Sequence, residues 1–221
     1  MSKLIGIVGA SSTGKTTSTR NLDSDSTYFI NVLDKDLPFK GYKSKYNKEK
    51  KNITSTTSHN EIVQILQAIS ESRPDVKRIV LDDVGFVMST EFFKRSKETG
   101  FAKFSDIGHH MFQIINTAKS LRDDITVYFM FHEDIDFVEG QLPQRKIKTI
   151  GKLLDDKFNP AALFTILLYT DVDYTKDGAQ YYFMTNRTAD YPAKSPMGMF
   201  EDLKIENDLS IVEQKMNEYY E

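Results

Sequence analysis

The chain of 221 residues has no cysteine, no strong excess of charge and no long apolar run. The absence of cysteine excludes disulfides, thiolate metal sites and a cysteine nucleophile. The formal net charge is −3 at pH 7, so any nucleic-acid site must be a local basic patch. No apolar run reaches the roughly 18 residues needed to span a bilayer, so we expect no membrane association.

The composition is that of an ordinary globular protein, with 39% hydrophobic and 28% charged residues. This length is enough for one α/β domain, and we expect residues 1–221 to form a single domain. The first three residues lead directly into an apolar run. We therefore expect no signal peptide and a cytoplasmic location.

Residues 9–16, GASSTGKT, match the pattern G-x-x-x-x-G-K-[ST] at every fixed position. The apolar residues 4–8 before them are typical of a buried strand, and helix-compatible chemistry begins at Thr13. A strand, a glycine turn and a helix start in this order predict a phosphate-binding loop. The alternative is a glycine turn that merely joins a strand to a helix.

Each residue type in this loop has a physical role. We expect Gly9 and Gly14 to adopt positive φ and to let an anion approach the backbone. The N–H groups that follow would point into one concavity at a helix N-terminus. Lys15 would contact the β- and γ-phosphates, and the Thr16 hydroxyl would ligate Mg²⁺. The predicted nucleotide-binding residues are Gly9, Ala10, Ser11, Ser12, Thr13, Gly14, Lys15, Thr16 and Thr17.

A second motif, KRIVLDD at residues 77–83, is an apolar strand that ends in two carboxylates. In open parallel sheets the ligand crevice lies outside the carboxyl ends of the strands, so Asp82 can meet the glycine loop there. This Walker B pattern predicts that Asp82 holds Mg²⁺ through a water and that Asp83 orients or deprotonates the attacking water. The alternative is a polar loop that caps the next helix.

Residues 125–131 predict another buried strand, which ends in His132 and Glu133. His132 would lie beside the Walker B carboxylates and sense the γ-phosphate, unless it belongs to a surface turn. We interpret the basic residues 133–151 as a mobile loop that couples nucleotide state to a partner. Lys148 or Lys152 would reach a neighbouring subunit's γ-phosphate, or both are ordinary surface lysines.

A lysine-rich stretch at residues 35–52 has Phe39, Tyr42 and Tyr46 between its cations. Lysines interleaved with aromatic rings suit single-stranded nucleic acid, which needs charge for phosphate and ring faces for stacking. The alternative is a solvated loop. The sequence therefore predicts single-stranded DNA contact through residues 39–51 and, by its basicity, through residues 135–152.

The remaining periodicities predict one more strand and several helices. The strand covers residues 27–33, and the helical segments cover residues 58–72, 89–124 and 207–220, with breaks near Gly100 and Gly108. Residues 163–170 and 180–185 predict a hairpin that turns at Asp177-Gly178. Lys194 and Ser195 either line the nucleotide site or lie in a loop. The pair His109-His110 has no acid or cysteine at ligand spacing, so we interpret it as structural.

The order of these elements resembles that of the RecA-like P-loop ATPases, in particular the small phage-encoded ATPases of the AAA class. The resemblance covers nearly the whole chain and rests on five motifs, which are GASSTGKT at 9–16, IVLDD at 79–83, FHED at 131–134, KTIGKLLDDK at 148–157 and AKSPMGMF at 193–200. It implies an α/β fold with a RecA-like, mostly parallel sheet flanked by helices and a C-terminal antiparallel hairpin.

The resemblance also implies ATP hydrolysis with Mg²⁺ and a role in phage DNA recombination, repair or replication. ATP is favoured over GTP by the resemblance and by the absence of an N-K-x-D motif. RecA-type enzymes usually carry a glutamate after the second strand, where this chain has Asp34, so the water-activating residue is Asp34, Asp83 or Glu133. The predicted catalytic residues are Lys15, Asp34, Asp83, His132 and Glu133.

Three functions fit these observations. The first is a DNA-stimulated ATPase that is a homo-oligomer when active, since a P-loop without an internal arginine finger hydrolyses ATP slowly. The second is a nucleoside or nucleotide kinase, which suits the chain length and the position of the glycine loop. Such kinases carry an arginine-rich lid, and residues 139–152 offer only Arg145. The third is a partner-binding switch that uses ATP only to order a loop.

Overall fold

The computed structural model describes residues 1–137, 144–151, 158–176 and 178–221. The strands are β1 Lys3–Gly9, β2 Thr27–Asn31, β3 Ile53–Thr54, β4 Arg78–Asp82, β5 Thr126–Asp136, β6 Gln144–Ile147, β7 Ile166–Thr175, β8 Gly178–Met184 and β9 Lys204–Glu206. The α-helices are α1 Tyr42–Lys45, α2 His59–Ser72, α3 Phe86–Lys94, α4 Ala102–Lys119 and α5 Leu209–Tyr220, and 3₁₀ helices cover Thr16–Thr19 and Pro160–Leu163.

The strands form one sheet in the order β3-β2-β4-β5-β1-β7-β8-β9, and β6 pairs with the far end of β5. All pairs from β3 to β7 along this order are parallel. The β7–β8, β8–β9 and β5–β6 pairs are antiparallel. This confirms the predicted mostly parallel sheet with a C-terminal antiparallel hairpin. Asp177, the first residue of the predicted turn, lies outside the described residues.

Both faces of the sheet are covered, which is why its central strands are almost continuously apolar. One face packs against α2, α3 and α4 in a core that includes Val8, Leu81 and Phe129. The other face packs against α5 in a core that includes Ile7 and Met130. Alternating residues of β1 and β5 thus enter opposite cores, and the sheet edge that carries their carboxyl ends stays open to a ligand. Within the described residues, no helix has the length and apolarity to cross a bilayer.

The helix expected after the glycine loop is only the four-residue 3₁₀ helix Thr16–Thr19. Its sequence, TTST, consists of β-branched and hydroxyl residues that are poor helix formers. The side chain of Asp23 then accepts hydrogen bonds from the Asp25 N–H and the Ser26 hydroxyl, which turns the chain into β2. A four-residue helix contributes little dipole, so anion binding must depend on the loop's own N–H groups and on Lys15.

The segment interpreted as a mobile loop is partly a regular hairpin. Residues 133–136 of β5 pair antiparallel with residues 144–147 of β6. Ion pairs reinforce the ladder, because Arg145 lies 2.7 Å from Glu133 and Lys146 lies 2.7 Å from Asp136. The expectation of a loop was wrong for these residues, whereas Lys152 lies outside the described part of the chain.

Candidate functional site

The candidate site is a cavity of about 1020 Å³ at the carboxyl ends of the parallel strands. Loops that follow β1, β2 and β4 contribute to it, as do His132 near the end of the parallel part of β5 and residues of β8 and β9. Of the predicted nucleotide-binding residues, those lining the cavity are Ser11, Ser12, Gly14, Lys15, Thr16 and Thr17. The loop therefore faces an open volume and not the protein core.

The other three predicted loop residues, Gly9, Ala10 and Thr13, do not line the cavity but form hydrogen bonds that hold the loop in place. The Lys15 ammonium donates hydrogen bonds to the carbonyls of Gly9 and Ala10, at 3.0 and 2.7 Å. The Thr13 hydroxyl donates to the Ala10 carbonyl and lies 2.5 Å from the hydroxyl of Thr170 on β7. Lys15 is only 6% exposed, and its burial lowers its pKa.

The two glycines of the motif serve different purposes. Gly14 has φ +94°, as predicted. The expectation of positive φ was wrong for Gly9, which ends β1 and is not among the positive-φ residues. Gly9 is required for space, because a Cβ there would lie 1.7 Å from Thr170 Oγ1 and 2.8 Å from Thr13 Oγ1. Ser12 provides the second left-handed position, with φ +64°.

The predicted metal ligands lie next to each other. The Thr16 hydroxyl donates a hydrogen bond of 2.8 Å to Asp82 Oδ1. Strand β5 lies between β1 and β4, so this contact joins the segment after β1 to the end of a strand that is not the neighbour of β1. Asp82 is 5% exposed, and burial together with the nearby charge of Asp83 raises its pKa to about 6. A buried carboxylate of this kind favours a cation beside it.

Asp83 is held between two partners at the edge of the cavity. Its Oδ1 lies 3.0 Å from His132 Nε2, and its Oδ2 lies 3.0 Å from Lys35 Nζ. Burial alone raises its pKa, but hydrogen bonds from His132 and Lys35 outweigh burial and lower that pKa to about 2. The backbone of Asp83 has φ +57°, a left-handed conformation that is strained for a residue other than glycine.

Lys35 is a site residue that the sequence analysis did not single out. Asn31, the last residue of β2, donates from its side chain to the Lys35 carbonyl and accepts from the Lys35 N–H. This tight loop places the Lys35 ammonium against Asp83 and 5.8 Å from the centre of the Phe86 ring. The only signal in the sequence is an Asn at a strand end, which is too common to identify one lysine among the seven in this stretch.

The structure does not bring Asp34 and Glu133 into the cavity. The side chain of Asp34 is exposed and accepts a hydrogen bond from Ser55. The side chain of Glu133 is 6% exposed and bonds to Arg145, whose guanidinium stacks on the Tyr191 ring at 4.5 Å. Lys194 forms an isolated bridge with Leu167 of β7, so Lys194 and Ser195 belong to a loop beside the sheet.

The C-terminal hairpin and the segment after it form the wall of the cavity that adjoins the glycine loop. Tyr181 and Asn207 lie next to Gly14, where an added Cβ would meet them at 3.2 and 2.9 Å. Arg20 donates to the Asn207 carbonyl at 2.6 Å and lies 3.0 Å from Glu206. Sequence reasoning missed these residues because nothing local links positions near 20 with positions near 206.

The three aromatic residues of the lysine-rich stretch pack against the core to different degrees. Tyr46 is 3% exposed and packs edge-on against Phe29, with ring centroids 4.6 Å apart. Phe39 and Tyr42 pack partly buried against the same core. Tyr46 therefore offers no ring face to a base, whereas base stacking on Phe39 and Tyr42 stays a prediction. Lys40 and Lys48 are exposed, so the stretch still presents positive charge.

The fold and the glycine loop together define a protein with a RecA-like P-loop fold. A family model described as an AAA domain matches residues 2–197, so the chain belongs to this family. A KaiC-like protein from the hyperthermophilic archaeon Pyrococcus horikoshii has a similar structure, with a TM-score of 0.51 over 87% of this chain and 82% of that protein. The identity is 11%, so the likeness concerns the fold alone. No curated protein sequence matches the chain.

Proposed function

We propose that the protein binds ATP with Mg²⁺ in the cavity beside the glycine loop and hydrolyses it. The observation that carries this proposal is the 2.8 Å hydrogen bond between Thr16 and Asp82, next to the buried ammonium of Lys15. A nucleotide pocket needs a cation for the phosphates and oxygen ligands for magnesium at one place. Membership of the AAA-domain family supports the same activity.

The donor set suits magnesium. A threonine hydroxyl and a carboxylate are hard oxygen ligands, and Mg²⁺ in nucleotide sites is held by one or two such groups together with phosphates and water. Thr16 and Asp82 would hold the ion, which when bound neutralises charge on the β- and γ-phosphates. Lys15 would leave the loop carbonyls that it contacts and pair with the phosphates.

Asp83 is the residue best placed to orient the attacking water. It lines the cavity, whereas Asp34 is exposed elsewhere and Glu133 is paired with Arg145. A carboxylate with a pKa near 2 is a weak base. Asp83 would therefore position the water by accepting a hydrogen bond from it, and would not hold the proton that the water releases. His132, which Asp83 orients, would contact the γ-phosphate. Loss of the γ-phosphate would then be transmitted through His132 to β5.

Turnover by a single chain should be slow. Among the described residues, the cations that line the cavity are Lys15, Arg20 and Lys35, and Lys35 is already paired with Asp83. Arg20 is paired with Glu206. We therefore propose that a second copy of the chain or bound single-stranded DNA completes the charge stabilisation. DNA would contact the exposed lysines of residues 39–51 through phosphate.

The experiment that tests ATP hydrolysis measures phosphate release from MgATP and GTP, with molecular mass followed in parallel. Lys15→Ala should abolish nucleotide binding and turnover, whereas Lys119→Ala, which removes an exposed lysine of α4, should change neither. Asp83→Asn should bind nucleotide but hydrolyse it poorly. Equal turnover in Lys15→Ala and wild type, or phosphate transfer to an added nucleoside in place of water, would contradict the proposal.

The DNA proposal has its own test. Affinity for oligo-dT is measured against salt for Lys40→Gln with Lys48→Gln, and for Lys97→Gln with Lys119→Gln as a control of equal charge. The first pair should reduce the slope of log affinity against log salt by about 1 to 2, because each phosphate contact contributes about 0.7 on single strands. Equal slopes for the two double variants would exclude contact through this stretch, and ATP turnover that does not change with DNA would exclude stimulation by DNA.

A further inference from the structure

Three side chains that could ligate a metal meet on the helical face of the protein, outside the nucleotide cavity. His59 is the first residue of α2, Glu91 lies on α3 and His110 lies on α4. Their side chains are 17%, 16% and 23% exposed. None of the three lines the cavity beside the glycine loop. The partners of His110 come from two other helices, which is why the sequence alone favoured a structural interpretation.

The nitrogen and oxygen atoms of this cluster converge. His110 Nδ1 lies 2.8 and 2.9 Å from the two carboxylate oxygens of Glu91. His59 Nδ1 lies 4.0 Å from Glu91 Oε2, and one ligand atom from each of the three residues lies within 4.8 Å of the other two. With metal–ligand bonds of about 2.0–2.1 Å, a tetrahedral site separates its ligand atoms by about 3.4 Å. Some of the observed separations between ligand atoms are shorter than that value and others are longer.

The charge around the cluster also favours a cation. Arg95 pairs with Glu91, Glu98 and Asp106, at 3.0, 2.7 and 2.8 Å. One guanidinium thus serves three carboxylates, and its single charge cannot neutralise them all. A divalent ion beside Glu91 would supply the missing positive charge without displacing Arg95, because Arg95 contacts Oε1 and leaves Oε2 to the histidines.

We propose that His59, Glu91 and His110 form a binding site for a divalent transition-metal ion of the zinc class. Two imidazole nitrogens and one carboxylate oxygen are a preferred ligand set for this ion, and three protein ligands leave a fourth position for water. The site joins α2, α3 and α4 into one unit. Since α3 begins three residues after Asp83, a bound ion fixes the helix that follows the Walker B carboxylates.

Metal binding requires one local rearrangement. The rings of His59 and His110 are stacked, with centroids 3.6 Å apart and planes 9° from parallel. A nitrogen lone pair lies in its ring plane, so one ion cannot satisfy two stacked rings at once. His59 is the ring that turns, because it lies farther from Glu91 and belongs to the terminal residue of its helix. Unstacking is therefore part of the proposed binding event.

The test titrates the full chain with Co²⁺ and Zn²⁺ in the presence of excess Mg²⁺, which fills the oxygen site at Asp82 and does not compete for histidine. Visible absorption of Co²⁺ reports nitrogen and oxygen ligation, and Zn²⁺ affinity follows from competition with a chelating dye. We expect one saturable site per chain. His59→Ala, His110→Ala and Glu91→Gln should each weaken binding at least about 100-fold, since even residues that only support metal ligands contribute about 10- to 100-fold.

Two matched variants serve as controls. His109→Ala removes the exposed neighbour of His110 and should leave the affinity unchanged. Glu98→Gln removes one carboxylate partner of Arg95 and should weaken binding far less than the three ligand variants. Glu91→Gln keeps the size of the side chain, which keeps the test decisive if a histidine variant fails to fold. Saturable binding that survives all three ligand variants, binding lost only in Asp82→Asn, or no binding at all would each overturn the proposal.

Discussion

The two adjacent carboxylates of the Walker B motif should respond in opposite directions when each is replaced by its amide. Asp82→Asn should stabilise the magnesium-free protein at pH 7.5, and Asp83→Asn should destabilise it. Both side chains are buried, and the two residues are neighbours in the chain. A difference in sign between such similar substitutions can come only from the different partners of the two carboxylates.

The magnitude for Asp82 follows from its pKa, which burial and the charge of Asp83 raise from 3.8 to about 6. A carboxyl whose pKa is higher in the folded state stabilises the fold while protonated, and loses this contribution as pH rises from about 4 to about 6. At pH 7.5 the ionised group therefore costs on the order of 3 kcal/mol. Asparagine removes this cost and still accepts the hydrogen bond from Thr16. We expect a gain of about 1 to 3 kcal/mol.

The pKa of Asp83 is shifted in the direction opposite to that of Asp82. Despite burial, hydrogen bonds from His132 and Lys35 lower that pKa from 3.8 to about 2. Its contribution is present above pH 4 and is lost as pH falls towards 2, so at pH 7.5 it stabilises the fold by about 2 kcal/mol. Asparagine offers one acceptor to two donors, and relief of the repulsion with Asp82 offsets only part of the loss.

Urea unfolding at pH 7.5 and pH 4.5, with EDTA present, measures these effects through the transition midpoint. The gain of Asp82→Asn should shrink at pH 4.5, where wild-type Asp82 is largely protonated, and the loss of Asp83→Asn should persist. The reasoning is wrong if both variants move the midpoint in the same direction, or if the gain of Asp82→Asn does not depend on pH. Either result would mean that burial does not dominate at Asp82 or that pairing does not dominate at Asp83.

Two further substitutions test residues that hold the glycine loop and Asp83 in place. Gly9→Ala places a Cβ 1.7 Å from Thr170 Oγ1 and should destabilise the protein by about 1 to 3 kcal/mol in the same unfolding assay. Gly85→Ala, whose Cβ meets nothing closer than 3.9 Å, should be neutral or slightly stabilising, and equal losses would contradict the steric argument. Lys35→Met removes one of the two groups that lower the pKa of Asp83. Acid unfolding should therefore begin at higher pH, and an unchanged acid midpoint would show that Lys35 contributes nothing.

The phosphate loop and the Walker B carboxylates could be predicted because their chemistry is local. Residues 9–16 contain every group the loop needs, and the rule that ligands bind at the carboxyl ends of parallel strands places Asp82 beside them. The contact between Thr16 and Asp82 follows from those two facts. The position of β5 between β1 and β4 cannot be predicted from them, because no local sequence specifies which strands are neighbours.

The helix after the loop and the partners of Asp83 show where sequence reasoning stops. The motif is usually followed by a long helix, but the run TTST and the turn at Asp23 end it after one 3₁₀ turn. Lys35 is one of seven lysines in its stretch, and only the hydrogen bonds of Asn31 select it. Likewise, the convergence of His59 and Glu91 on His110 depends on how three helices pack.

Several features at the carboxyl edge of the sheet raise the free energy of the folded chain. Asp82 is buried with a raised pKa, Lys15 is buried with a lowered pKa, and both Ser12 and Asp83 hold left-handed backbone conformations that cost on the order of 1 kcal/mol each. The buried charge of Asp82 has no structural purpose in the ligand-free chain, since asparagine in its place would favour folding. A triphosphate with its magnesium reverses the two electrostatic costs, because it brings a cation to Asp82 and anions to Lys15. The concentration of unfavourable terms at one edge is therefore a physical argument for nucleotide binding that is independent of the sequence motif.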